Sequence, residues 1–88
     1  MYNVIFEPRA EKKFLKLESA VQKQILKYMR NDILLRSPKS FGRPLMYERS
    51  GEWRYRVGDY RIICKILDHE LVILVIDIDH RKDVYRRE

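Results

Sequence analysis

Eighty-eight residues, 45% of them apolar and 36% charged, with a net charge of +6, describe one small domain with a single core. The charged residues are interleaved with apolar ones, which excludes a disordered tail, and the longest apolar stretch, Leu71 to Ile76, is far too short to cross a bilayer. One cysteine, Cys64, allows no internal disulfide and fits a reducing cytoplasm, and two widely spaced histidines give no expectation of a metal site or cofactor. The opening residues lack a basic start and a long apolar run, so no signal peptide is expected.

In chain order, Tyr2–Phe6 alternates and stops at Pro8, a pattern for a short first strand. Pro8 suits the first turn of a helix, and Ala10, Phe14 and Leu17 follow at i, i+4 and i+7. Ser19-Ala20-Val21-Gln22 has capping-box spacing, which predicts a second helix from Ser19 with Val21, Ile25, Tyr28, Met29 and Ile33 buried and Ser37-Pro38 closing it. Lys23, Lys27 and Arg30 would face solvent. Residues 36–52 form a long connection with two prolines and two glycines, and long connections in small domains tend to be functional or mobile.

From Glu52 the pattern turns to strands. Trp53–Val57 and Tyr60–Leu67 flank Gly58-Asp59, a tight hairpin turn. Asp68-His69-Glu70 makes the next turn. Leu71–Ile78 is the most apolar strand and hence central, and Asp79–Glu88 is a charged tail with room for one helical turn. The expected fold is α+β: two N-terminal helices packed on a curved, mostly antiparallel four-stranded sheet, β-α-α-β-β-β with a short C-terminal tail, in one domain spanning residues 1–88. The first strand has no hairpin partner in sequence and should pair with an edge or with the apolar last strand.

The stretch Trp-Arg-Tyr-Arg-Val, residues 53–57, concentrates the chemistry. Side chains alternate along a strand, so Trp53, Tyr55 and Val57 share the core face while Arg54 and Arg56 share the other. Arg61 begins the returning strand, and the turn alone does not settle whether it joins them. It reads as an exposed strand arginine that supports little core. Arg81, Lys82 and Tyr85 follow the last strand, from where a tail could lie across the same face. Four guanidiniums and a phenol around one hollow suit a phosphodiester, because planar donor forks match phosphate oxygens. The plainer alternative is a solvated face on which Asp59, Asp77, Asp79 and Asp83 pair with these arginines in weak surface bridges. His80 can be read as a base or as a strand-end residue, and Tyr47 and Tyr60 are equivocal.

The segment GEWRYRVGDYRIICKILDHELVILVIDIDHRKDVYRR resembles the C-terminal half of the RelE/ParE superfamily of bacterial toxins. The R-x-R-V-G-x-Y-R hairpin followed one strand later by H-R-K-D-V-Y is the recurring pattern of its RelE-like branch, and EPRAEKKFLKL and GRPL sit where that family has its first helix and loop. The resemblance covers nearly the whole chain. It implies the toxin of a type II toxin–antitoxin system: a metal-free mRNA endoribonuclease acting on the ribosome in the cytoplasm, neutralised by a cognate antitoxin in a complex that can be a heterotetramer. Carried over by residue, the phosphate-holding cations fall on Arg54, Arg56 and Arg61 with Lys82 beside them, the tail arginine on Arg81 and the catalytic tyrosine on Tyr85. His80 is the reserve for a proton transfer. Founding members have lysines where this chain has Arg54 and Arg56; arginine does not lose its proton, so these two can hold charge but cannot act as a general base. The rival implied by the superfamily is a ParE-like inhibitor of DNA gyrase without nuclease activity, and a third reading is a non-catalytic RNA- or protein-binding module.

Overall fold

The computed structural model describes residues 1–80. Strand β1 (Asn3–Phe6) leads into helices α1 (Pro8–Leu15), α2 (Ser19–Met29) and α3 (Asp32–Arg36). A two-residue strand β2 (Arg43–Pro44) follows, then β3 (Glu52–Val57), β4 (Tyr60–Leu67) and β5 (Val72–His80). The sheet order is β1-β5-β4-β3-β2, antiparallel except where β1 runs parallel to β5. The class is α+β as expected, with a fifth strand added inside the long connection.

Helix α1 opens on Pro8 at its first turn and buries Ala10 and Phe14, while Leu17 packs on the core from beyond the helix end. Helix α2 starts at Ser19, but the capping box does not form. Glu18 occupies the cap position with no side-chain cap bond, and Gln22 reaches backwards, its Nε2 donating to the carbonyl oxygens of Leu17 at 3.0 Å and Phe14 at 3.2 Å. The residue expected to cap its own helix thus ties α2 to the last turn of α1.

The buried stripe of α2 is Ile25 and Met29, with Val21 and Tyr28 at the core edge. It does not continue to Ile33, which is 64% exposed. The chain leaves the helix after Met29, and Asn31 caps α3, its Oδ1 accepting from the backbone N–H of Ile33 at 2.9 Å and, more weakly, of Leu34 at 3.4 Å. This break rotates the stripe, so Leu34 takes the core position.

Against these helices the sheet presents Tyr55, Val57, Ile62, Cys64, Ile73, Val75 and Ile78. Cys64 is fully buried and burial pushes its thiol up, which makes it an inert hydrophobe. A register shift between Ile63 and Cys64 changes the pairing of β4 with β5. Tyr55 is also fully buried, and its hydroxyl donates to the Pro38 carbonyl at 2.6 Å, pinning the start of the long connection to the sheet.

Candidate functional site: an arginine cleft at the sheet edge

The hairpin turn Gly58-Asp59 sets the register that the sequence left open. Arg56 lies directly opposite Arg61, Arg54 opposite Ile63, and Tyr55 opposite Ile62. Residues directly opposite on antiparallel strands share a face, so Arg54, Arg56 and Arg61 all point to the side away from Tyr55. Gly58 supplies the positive φ of +58° that the turn requires, and a side chain there would also crowd Gln24 of α2 at 3.1 Å.

On its other flank Arg61 faces Asp79 of β5, and both are buried, at 7% and 5% exposure. This corrects the expectation of an exposed Arg61: it lies on the central strand β4 between long side chains of both neighbours. Arg56, near the sheet edge, is exposed. Of the acidic residues named in the plainer alternative, Asp77 and Asp79 both have a cation of α1 beside them. Lys13 of α1 approaches both, at 2.6 Å from Asp77 and 3.7 Å from Asp79.

Strand β2 pairs with β3 only through Arg43 opposite Arg54 and Pro44 opposite Trp53. No described strand pairs the outer edge of β3 beyond Arg54, and there a cavity of about 380 Å³ opens, lined by Arg43, Arg54, Arg56, Tyr28 and Phe41. Three guanidiniums and two aromatic rings therefore meet in one hollow. Arg43 was not anticipated as a site residue. Its recruitment depends on a two-residue pairing that no periodicity reveals, although an arginine between Gly42 and Pro44 in a basic connection was a usable signal. Gly42 is needed for bulk rather than conformation: a Cβ there would stand 3.0 Å from Tyr55 Cζ and 3.3 Å from the Arg54 carbonyl oxygen.

His80 sits elsewhere. It pairs with Tyr60, the two rings meeting edge-on with centroids 5.0 Å apart, and it lines a separate cavity with Lys13, Lys16, Leu17 and Tyr60. By strand alternation this is the face opposite Arg61, so among the described residues His80 is not brought together with Arg54, Arg56 and Arg61. Arg81, Lys82, Asp83 and Tyr85 lie outside the described residues. Among the described residues no three His, Cys, Asp or Glu side chains are grouped to hold a metal ion, and no helix is long and apolar enough to cross a membrane.

This fold, with basic residues on both strands of the β3–β4 hairpin, is that of a RelE/ParE-superfamily toxin. More narrowly, residues 4–85 match the family described as the ParE toxin of the type II toxin–antitoxin system parDE, and the chain belongs to that family. It is 33% identical over 86 residues to Toxin RelG of Mycobacterium tuberculosis, with 98% of each chain covered. Among solved structures it resembles the toxin–antitoxin complex RelBE2 of M. tuberculosis, with a TM-score of 0.82, 30% identity and coverage of 91% of this chain and 98% of that one. It also resembles the isolated RelE toxin of E. coli, with a TM-score of 0.71, 26% identity and coverage of 99% and 94%.

Proposed function

We propose that this toxin acts as an endoribonuclease on messenger RNA at the ribosome, in the cytoplasm, and that a cognate antitoxin holds it inactive, in a complex that can be a heterotetramer. The observation that carries the reading is the convergence of Arg43, Arg54 and Arg56 in one cavity, with Arg61 opposite Arg56. Like charges are brought together at a cost, and an anion with several oxygens offsets it. A phosphodiester strand is such a ligand.

In this mechanism the substrate supplies its own nucleophile. The Tyr85 phenolate takes the proton of a 2′-OH, and the O2′ attacks the adjacent phosphorus. The bond from phosphorus to O5′ breaks, leaving a 2′,3′-cyclic phosphate on one product and, on the other, an O5′ that takes a proton from water to become a 5′-OH, while the Tyr85 phenol gives its proton back to the hydroxide so formed. Arg54, Arg56 and Arg61 hold the phosphate as negative charge accumulates on it, Lys82 adds to the field, and Arg81 stabilises the departing oxygen. Cations held near a phenol favour its phenolate, the state this role requires of Tyr85. His80, on the opposite face, is the reserve for a proton transfer only if the RNA path reaches the Tyr60 side.

The matching family's ParE description favours one rival, an inhibitor of DNA gyrase. The two are separated by adding purified protein to a translation extract and mapping message ends, beside a supercoiling assay. Cuts inside the ribosomal decoding site that vanish in Tyr85→Phe, with cyclic-phosphate termini, support the nuclease. Loss of supercoiling with intact messages supports the rival and rejects the nuclease.

A further inference from the structure

The arginine cavity does not end at Arg56. Tyr28, Phe41 and Arg56 also line a second hollow of about 510 Å³ between α2 and the β3–β4 turn, walled by Leu34, Val57 and Gln24. The two hollows adjoin at Tyr28, Phe41 and Arg56 and together make a groove that is cationic on one side of this junction and mainly apolar on the other. Among the described residues Lys27, Arg43, Arg54 and Arg56 are the charged ones lining it, with no carboxylate among them. An anionic ligand with an apolar, flat portion matches that distribution.

Phe41 is the side chain at the junction. It is 43% exposed, and yet its backbone is held from both sides. Its N–H donates to the Pro38 carbonyl at 3.4 Å, the same oxygen that the buried Tyr55 hydroxyl engages at 2.6 Å, and Gly42 lies against the Tyr55 ring. Tyr28 lines the same hollows, itself braced edge-on against Tyr55 with centroids 6.4 Å apart. A half-exposed aromatic on a fixed backbone, beside guanidiniums, is a stacking platform of the sort single-stranded nucleic acids use.

We infer that the apolar end of this groove takes one unstacked nucleobase of the strand whose phosphates Arg43, Arg54 and Arg56 hold. Phe41 is the surface on which the base stacks, and the Gln24 amide is placed to contact its edge. Volumes of this order are typical of small-ligand sites, ample for a single base. The inference rests on the RNA reading above and adds to it a contact with a base rather than with the backbone, hence a position at which the strand's sequence matters.

The test uses a short 2′-O-methyl RNA strand, which cannot be cleaved by 2′-OH attack, and a set of the same strand with one abasic site moved along it. Affinity is read by fluorescence anisotropy with the whole protein. Removing the base at one position should weaken wild-type binding by about 5- to 150-fold, the range for loss of one base–aromatic stack. Phe41→Ala should lose a similar factor on the intact strand and should no longer distinguish the abasic one. Phe41→Trp should restore both, while Arg54→Ala weakens intact and abasic strands alike.

Thermal unfolding accompanies each variant, and Phe41→Leu, which keeps apolar bulk without a ring, replaces Phe41→Ala if the latter does not fold. Equal affinity for all abasic strands, or positional dependence that survives loss of the ring, overturns the inference. Wild-type protein that binds no strand, either alone or with ribosomes present, rejects the RNA reading itself, a different result from binding without positional dependence. RNA affinity unchanged in Phe41→Ala likewise rejects the base subsite.

Discussion

Arg56 and Arg61 stand directly opposite each other across the β3–β4 hairpin, two guanidinium side chains at one cross-strand position. Like charges so placed destabilise a sheet by about 0.2–1 kcal/mol, so the pair is maintained against the interest of the fold. Arg56→Gln is therefore expected to leave the melting temperature unchanged or raised while RNA affinity falls. Thermal unfolding and strand binding on the same preparation check it. A variant that loses stability and keeps affinity would make the pair structural.

Arg61 has a different prediction because it is buried beside Asp79. Truncating it removes the cation facing the buried Asp79 carboxylate, which keeps Lys13 at 3.7 Å, so the cost is at most the roughly 3–5 kcal/mol of breaking a buried charge pair. Arg61→Ala should be substantially destabilised, and the Arg61→Ala/Asp79→Ala double variant less so than the two single losses combined. Urea unfolding of the four proteins reads the coupling. Loss of activity in Arg61→Ala is interpretable only beside Arg61→Lys, which retains the charge.

Arg43 should contribute to binding through charge alone. Each phosphate contact to a single strand adds about −0.7 to the slope of log affinity against log salt concentration, so Arg43→Ala should flatten the slope by about that amount. The measurement is a salt titration of strand affinity in wild type and variant. An unchanged slope would remove Arg43 from the phosphate path.

The Tyr55 hydroxyl holds the long connection at Pro38. Tyr55→Phe deletes that buried hydrogen bond and leaves the Pro38 carbonyl with one partner fewer, at a cost of about 1–3 kcal/mol. Gly42→Ala should destabilise by a similar amount, since its methyl meets both the Tyr55 ring and the Arg54 carbonyl, and overpacking of this kind costs about 1–3 kcal/mol. Denaturant midpoints check both. Because residues 41–43 carry two walls of the cleft, strand affinity should fall with stability in each.

Asp77 gives the acid-side prediction. Burial alone raises its carboxyl, but the Lys13 ammonium at 2.6 Å and the Ile78 backbone N–H at 2.9 Å outweigh it and hold the group below the ordinary carboxylate value. The folded state thus binds this proton less readily than the unfolded chain. Its contribution to stability is present above about pH 4 and lost as pH falls through the folded-state value. Asp77→Asn should be less stable than wild type at neutral pH, with the difference closing in acid. A gap that persists unchanged in acid would assign the effect to packing instead.

Much of the architecture was legible because its signals are local. Pro8 at a helix start, Gly58-Asp59 between two alternating runs and the apolar run at 71–78 each act through neighbours in sequence. The parts that were not legible depend on partners distant in sequence. Asn31 capping a new helix turned Ile33 outward and Leu34 inward. Gln22 bonded to α1 rather than to its own helix. Two residues of β2 became a strand only because β3 lay alongside, and with them Arg43 joined the cleft. The strand pattern assigned Arg54 and Arg56 to one face, but only the hairpin register placed Arg61 opposite Arg56, and only the completed sheet showed it buried.

The parallel pairing of β1 with β5 has a consequence for the birth of the molecule. The strand between β1 and β4 is the last of the described strands to be synthesised, so the N-terminal strand has no neighbour in the sheet until residues 72–75 have been made. Chains emerge N-terminus first, and contacts between distant residues must wait for the later partner. A nascent copy of this protein therefore remains without a finished sheet for most of its own translation, and a message broken before the final strand yields no folded product.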